Sequence, residues 1–169
     1  MVNVTPGVAP PTTTTIDLPR FGTITYAASD VLTFPWGLPG FEDLKTFVVL
    51  SLEEQAHLVW LQSLDNPAIA LPAADPWMFF PDYEPKLPGF ARLSLELDRP
   101  EDFTILAIVV VPEEGEMFMN LMAPVLVNLR TRIARQVALE TGGYSVATPI
   151  PMAGVTPTDM SMAAEAAAD

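Results

Sequence analysis

The sequence predicts a mainly β fold, a small antiparallel β-barrel-like single domain with short helical turns, on three observations. Half of the 169 residues are apolar, enough to bury a core without metals or disulfides. Short apolar runs recur about every ten residues between Pro, Gly and Asp, the rhythm of strands and turns. The chain carries 18 prolines. Each would cost about 3 kcal/mol inside a helix, whereas turns between strands accept them readily.

In chain order, residues 1–19 are rich in Thr and Pro, have no apolar period, and read as a disordered arm. The ordered domain is expected over 20–150. Its first strands are Gly22–Tyr26 and Val31–Phe34, followed by a helical turn over Phe41–Leu44 after Gly40. Strands are expected next at Thr46–Leu50, Leu58–Ser63 and Ala68–Leu71. Ala91–Leu97 alternates strictly, which turns its leucines toward a core and Arg92, Ser94 and Glu96 toward water. A short helical turn is expected at Arg99–Asp102, where Pro100 and early acids suit a first turn. Phe103–Val111 is apolar on both faces from Ile105 onward, the pattern of a central strand covered on both sides. Leu126–Asn128 and Ala134–Leu139 complete the set. Residues 151–169, rich in Ala and Met, read as a flexible tail.

Charge narrows the partners. The chain has 21 Asp and Glu against 8 Lys and Arg, a formal net charge of −13. Phosphate binding draws most of its affinity from Lys and Arg, so the balance argues against nucleic acid as a direct partner. Either a basic protein partner or plain solubility accounts for the acidity. The N-terminal residues lack the basic and apolar regions of a secretory signal. The most apolar stretch, Ile105–Val111, is far short of the roughly 20 residues that span a bilayer. A cytoplasmic protein is therefore expected.

Little points to catalysis. There is no cysteine, and His57 is the single histidine, so metal sites needing two such ligands are excluded and a triad would need His57 as base. At the entry to an apolar strand, His57 reads as structural. Scattered carboxylates leave a glycosidase-like pair or an oxygen-only calcium site open by count, but no calcium-loop motif occurs. Gly37-Leu38-Pro39-Gly40 reads as a turn and matches no phosphate-binding fingerprint. No enzyme, metal or cofactor is expected; a small-molecule-binding β-barrel is the alternative class.

Three segments are more particular. The first is Phe34-Pro35-Trp36-Gly37-Leu38-Pro39-Gly40-Phe41-Glu42. The second is Leu61-Gln62-Ser63-Leu64-Asp65-Asn66-Pro67, followed by the aromatic-acidic run Asp75 to Glu84. The third is Asn120-Leu121-Met122-Ala123-Pro124-Val125-Leu126-Val127-Asn128, continuing to Arg135-Gln136-Val137 and Tyr144 to Pro149. Together, in this order and spacing over 34–150, they resemble the FliW family of flagellar assembly factors. The chain departs from the family pattern in a compact segment between Tyr83 and Phe103, in Met119, and in an added arm at each end.

The resemblance implies a compact β-barrel-like protein that binds flagellin in the cytoplasm and also binds the RNA-binding translational regulator CsrA. It implies partner switching, in which flagellin occupancy leaves the regulator free to repress flagellin translation. The free protein is expected to be monomeric. The candidate contact residues are Trp36 and Phe41 in the Gly-Pro turn, Phe80, Asp82, Tyr83 and Glu84 in the aromatic-acidic run, and Glu101 and Asp102 in an acidic turn. Each has a plainer reading. Trp36 to Phe41 could plug one barrel end, Phe79 and Tyr83 could anchor the core while Asp82 caps a turn, and the acids could be solvated. Asn120 and Asn128 are expected to bond backbone in the turns flanking Pro124.

Overall fold

Thr13, Thr14, Thr15 and Ile16 are β-branched, and stiff side chains of that kind suit an extended backbone. In the computed structural model, which describes residues 12–151, Thr13–Leu18 forms strand β1. It pairs antiparallel with β2 (Gly22–Ala27), with Ile16 opposite Ile24. The expected arm over 1–19 therefore gives way to a strand at 13–18, because an adjacent partner strand supplies the backbone hydrogen bonds that composition alone does not reveal. The rest of that arm and all but the first residue of the expected tail lie outside the described residues.

The next strands form a meander: β3 (Val31–Thr33), β4 (Thr46–Ser51), β5 (Val59–Ser63) and β6 (Ala70–Ala74), each antiparallel to the one before. A short helix α1 (Gly89–Ser94) and a 3-10 turn over Pro100–Asp102 lead into β7 (Phe103–Val110). After it come β8 (Phe118–Met119), β9 (Val125–Asn128), β10 (Ala134–Gln136) and β11 (Thr148–Pro149). The spatial order is β10-β9-β7-β6-β5-β4-β3, with β8 joining β7 and β11 joining β8.

The sheet curls until its two end strands meet. Thr33 bridges Ile133 in parallel, and the Thr33 amide donates to the Arg132 carbonyl at 2.9 Å. That single bridge makes the fold barrel-like without a full closing ladder. β7 sits centrally, as its two apolar faces predict. Ile105, Ala107 and Val109 are buried, while Leu106 and Ile108 pack partly covered against a second core cluster of Leu32, Phe34, Phe47 and Leu61.

Ala91–Leu97 is not a strand. Residues 89–94 form α1, and its C-terminal continuation buries Leu95 and Leu97 against Ile105, Leu126 and Val137. Leu93, at 82% exposure, points to solvent. A run of this length with alternating leucines fits one turn of helix plus a bend as well as it fits a strand, and Pro88 starts the helix by accepting from the Ala91 amide at 3.0 Å. The expected helical turn at Phe41–Leu44 is a reverse turn, closed by Leu44 N–H to Phe41 carbonyl at 3.0 Å. The turn at Pro100–Asp102 is present as expected. Among the described residues no helix is long and apolar enough to cross a membrane.

Candidate protein-binding surfaces

The loop from Phe34 to Lys45 is built on its glycines and its buried aromatics. Phe34 is fully buried, edge-on to Phe47 at 5.1 Å. Its amide donates to the Lys45 carbonyl at 2.7 Å and its carbonyl accepts from Gly37 at 2.8 Å, so the loop returns to where it left. Gly37 has φ +66, and a Cβ there would stand 2.6 Å from the Glu42 carbonyl oxygen. Only glycine lets the two arms of the loop touch. The outcome is directional: Phe34 and Leu38 point into the core, Phe41 lies half-buried over the sheet, and Trp36 stands 46% exposed.

Phe41 lines three adjoining depressions. The largest, about 360 Å³, is walled mainly by Phe41, Ile69, Leu71, Ile108 and Val110. A second adds Glu42, Asp43 and Asn66, and a third adds Leu38, Pro39, Asn120 and Gln136. The result is an apolar floor with two exposed carboxylates on one lip. The Glu42 carboxyl is held below the usual range, chiefly because the Gly40 amide donates to it at 3.1 Å, so Glu42 stays charged. Asn120 and Gln136 are fixed by the Ala123 backbone, Asn120 Oδ1 accepting its amide at 2.9 Å and Gln136 Nε2 donating to its carbonyl at 3.0 Å. An apolar hollow with a charged rim suits a hydrophobic anchor from a cationic partner.

Beside it, Arg135 lies between two rings, its guanidinium carbon 4.3 Å from the Trp36 centroid and 5.0 Å from that of Phe90. Arg135 Nη1 also donates to Ser94 Oγ at 3.4 Å, tying β10 to α1. Arg135 and the two rings, each about half exposed, form a second patch. The sequence signal for it was Arg135 itself, the third arginine of the run Arg130, Arg132 and Arg135. Its stacking partners lie in distant parts of the chain and could not be read from it.

The aromatic-acidic run divides into anchors and exposed groups. Asp75 Oδ1 accepts from the Trp77 amide at 2.9 Å, and Trp77 Nε1 donates to the Tyr83 carbonyl at 2.8 Å. Tyr83 is 4% exposed, and its hydroxyl donates to the Leu121 carbonyl at 2.8 Å. Its ring meets Tyr144 at 4.8 Å, and the Tyr144 hydroxyl accepts from the Glu84 amide at 2.9 Å. Burial pushes the Tyr83 phenol well above its ordinary value. Tyr83 is thus an anchor whose ring a partner cannot reach. Phe80 is half-buried against the same cluster, whereas Asp82 and Glu84 are exposed. The apolar groups this loop offers to solvent are Trp77 and Met78, neither of which stood among the candidate contacts.

At the acidic turn, Arg99 Nε approaches Asp102 Oδ2 at 3.2 Å and Glu101 Oε1 at 3.8 Å. Asp102 is largely covered and its carbonyl accepts from Leu129 at 2.7 Å, so only Glu101 is presented outward. His57 is partly buried with its ring 6.2 Å from Phe79. Asn128 is buried, donates to the Leu95 carbonyl at 2.7 Å and accepts from Arg130 and Thr131, the backbone role expected of it. Phe41 belongs to the core cluster of Phe34 and Phe47, while Phe80 and Tyr83 belong to that of Trp60 and Met119. The candidate contact residues therefore do not make one patch.

Comparison with known proteins agrees over nearly all of the described chain. A family model described as FliW protein matches residues 15–150. The chain is 36% identical over 132 residues to flagellar assembly factor FliW 2 of Desulfotalea psychrophila, covering 78% of this chain and 87% of that protein. It is 38% identical over 136 residues to flagellar assembly factor FliW of Bdellovibrio bacteriovorus, covering 80% and 78%. A crystal structure of the flagellar assembly factor FliW superposes with a TM-score of 0.76 at 29% identity, over 84% of this chain and 100% of that one.

Proposed function

The chain belongs to the FliW family of flagellar assembly factors, and from that premise we propose that it acts in the cytoplasm by binding proteins, flagellin and the RNA-binding translational regulator CsrA, without catalysing a reaction. Flagellin and the regulator compete for it, directly or through a change of shape. While flagellin occupies the protein, the regulator represses flagellin translation; once flagellin is exported, the freed protein takes up the regulator and repression ends.

The observation that carries this reading is the Phe41 hollow with its Glu42 and Asp43 lip, in a chain of net charge −13. An RNA-binding protein must present cations to phosphate, and those cations are what such a lip attracts. Asp82 and Glu84, exposed on either side of the buried Tyr83, add to the same field without being needed by the core. The alternative of a ligand-binding barrel draws less support, because the 360 Å³ cavity opens between strand edges while Trp60, Phe34, Phe47 and Leu61 are fully buried in the interior.

The test mixes the purified full chain with the regulator and with flagellin over a salt series. Micromolar or tighter complexes at low salt are expected with both, and absence of both sinks the reading. Reversing Asp82 and Glu84 to Lys is expected to slow association with the regulator while leaving Tm unchanged. A large drop in Tm would instead assign these acids to the fold.

A further inference from the structure

The β6–β7 ladder contains only two pairs, Ala73–Ile108 and Ala74–Ala107. Toward their other neighbours both strands run on. β6 pairs β5 as far as Ala70–Gln62, and β7 pairs β8 through Val109 and Val110. The two strands therefore separate while each is still extended.

Pro72 explains why. The Ser63 amide donates to the Ile69 carbonyl, and the pairs Leu61–Leu71 and Trp60–Pro72 continue that register. Alternation along an antiparallel ladder then turns the backbone groups of Leu71 toward β5, and those of Ala70 and Pro72 toward β7. The Ala73–Ile108 pairing has the Val109 amide donate to the Pro72 carbonyl, but proline has no amide to return, and the ladder stops there. On the other wall, the Asn120 amide donates to the Ile108 carbonyl, which turns Ile108 and Val110 toward β8 and leaves Val109 and Val111 facing β6.

The 360 Å³ cavity occupies this gap. It is lined by the consecutive residues Ala68 to Pro72 and Ile108 to Val111, and contact with consecutive rather than alternate residues means that it meets strand edges as well as side-chain faces. The Ala68–Pro72 edge is about 13 Å long at strand rise. Its side walls are apolar, Arg20 lies in the lining, and Phe41 joins it to the depression that carries Glu42 and Asp43.

We propose that the gap between β6 and β7 is an insertion site for an extended segment of the cationic protein partner, which adds there as a strand. Main-chain bonds to Ala70 and Val111 supply affinity. The walls select apolar side chains at alternate positions, and the Glu42–Asp43 lip selects Lys or Arg beside them. The inference rests on the partner reading above, in which that partner is the RNA-binding regulator.

The experiment is residue-resolved hydrogen exchange on the full chain, alone and with the regulator or flagellin. With the regulator, the amides of Ala70 and Val111 are expected to slow at least tenfold, while those of Leu71, already paired with β5, and Val109, already paired with Pro72, do not change. Val110→Lys, at a position 49% exposed, is expected to weaken regulator binding tenfold or more with Tm unchanged. A complex that leaves the amides of Ala70 and Val111 unchanged overturns strand insertion and leaves the partner reading standing. No complex with either protein removes the partner reading and this inference with it. Slow exchange already present in the free chain assigns the gap to the chain's own residues, and slowing that follows protein concentration alone assigns it to a second copy; either result overturns the proposal.

Discussion

Gly37 controls where Phe41 and Trp36 point, because the close approach of Glu42 leaves no room for a side chain. Gly37→Ala must place Cβ at positive φ and against backbone at once, and is expected to cost more than about 2 kcal/mol, read as a lower urea midpoint with unchanged slope. Asp65 makes a titratable contribution to the same region. Its carboxylate accepts from the amides of Lys45 at 2.6 Å and Thr46 at 2.9 Å. Partial burial opposes its ionisation, but the two amides together outweigh that and hold the carboxyl below its ordinary 3.8. A lowered folded value means that the stabilisation is present above the unfolded value and is lost as pH falls through the folded one. Wild-type stability is expected to fall between about pH 5 and pH 2, and Asp65→Asn to flatten that decline; an unchanged profile would remove Asp65 from the account. The Gly-Pro turn was legible in the sequence because glycine and proline act through local sterics. The Arg135 stack was not, since its two rings come from parts of the chain that only the finished fold brings together.

Among the elements, those with a strong two-sided or alternating apolar pattern and a sheet neighbour were readable, β7 above all. Two misreadings have opposite causes. In Ala91–Leu97 the alternation was present, but Pro88 and Gly89 begin a helix and Leu93 is left in water. In β1 the apolar signal was thin, Ile16 and Leu18 among threonines, and the strand exists because β2 follows across a short turn to pair with it. A two-stranded ribbon has little burial of its own. Amides of β1 are accordingly expected to exchange with solvent well before Leu61 in β5, whose strand has a neighbour on each side. Equal protection of the two would show that the ribbon opens only with the whole sheet.

For the molecule as a whole, the acid excess acts at a distance where single contacts do not. Raising ionic strength from about 50 to 500 mM shortens the reach of the field from beyond 10 Å to a few Å. Association with a basic partner is expected to slow about tenfold or more, with dissociation changing less, in stopped-flow mixing. Equal sensitivity of the two rates would place the charges in the contact itself rather than in long-range steering. Composition alone could not decide between solubility and partner choice. The placement of Glu42 and Asp43 beside an apolar hollow favours the second, and that placement depends on a loop fold and not on a count.

The central position of β7 also bears on how the chain is made. Its first edge is met by β6, already synthesised, but its second waits for β8 and β9, which end at Asn128. A ribosome adding about 5–20 residues per second takes roughly one to four seconds to cover that interval. Throughout it the most apolar strand of the protein has one bare edge, the template on which nascent chains stick to one another. Messages broken or stalled before the β9 codons would therefore yield fragments that aggregate rather than partly active protein, and quality control at the ribosome becomes part of how much of this factor a cell can hold.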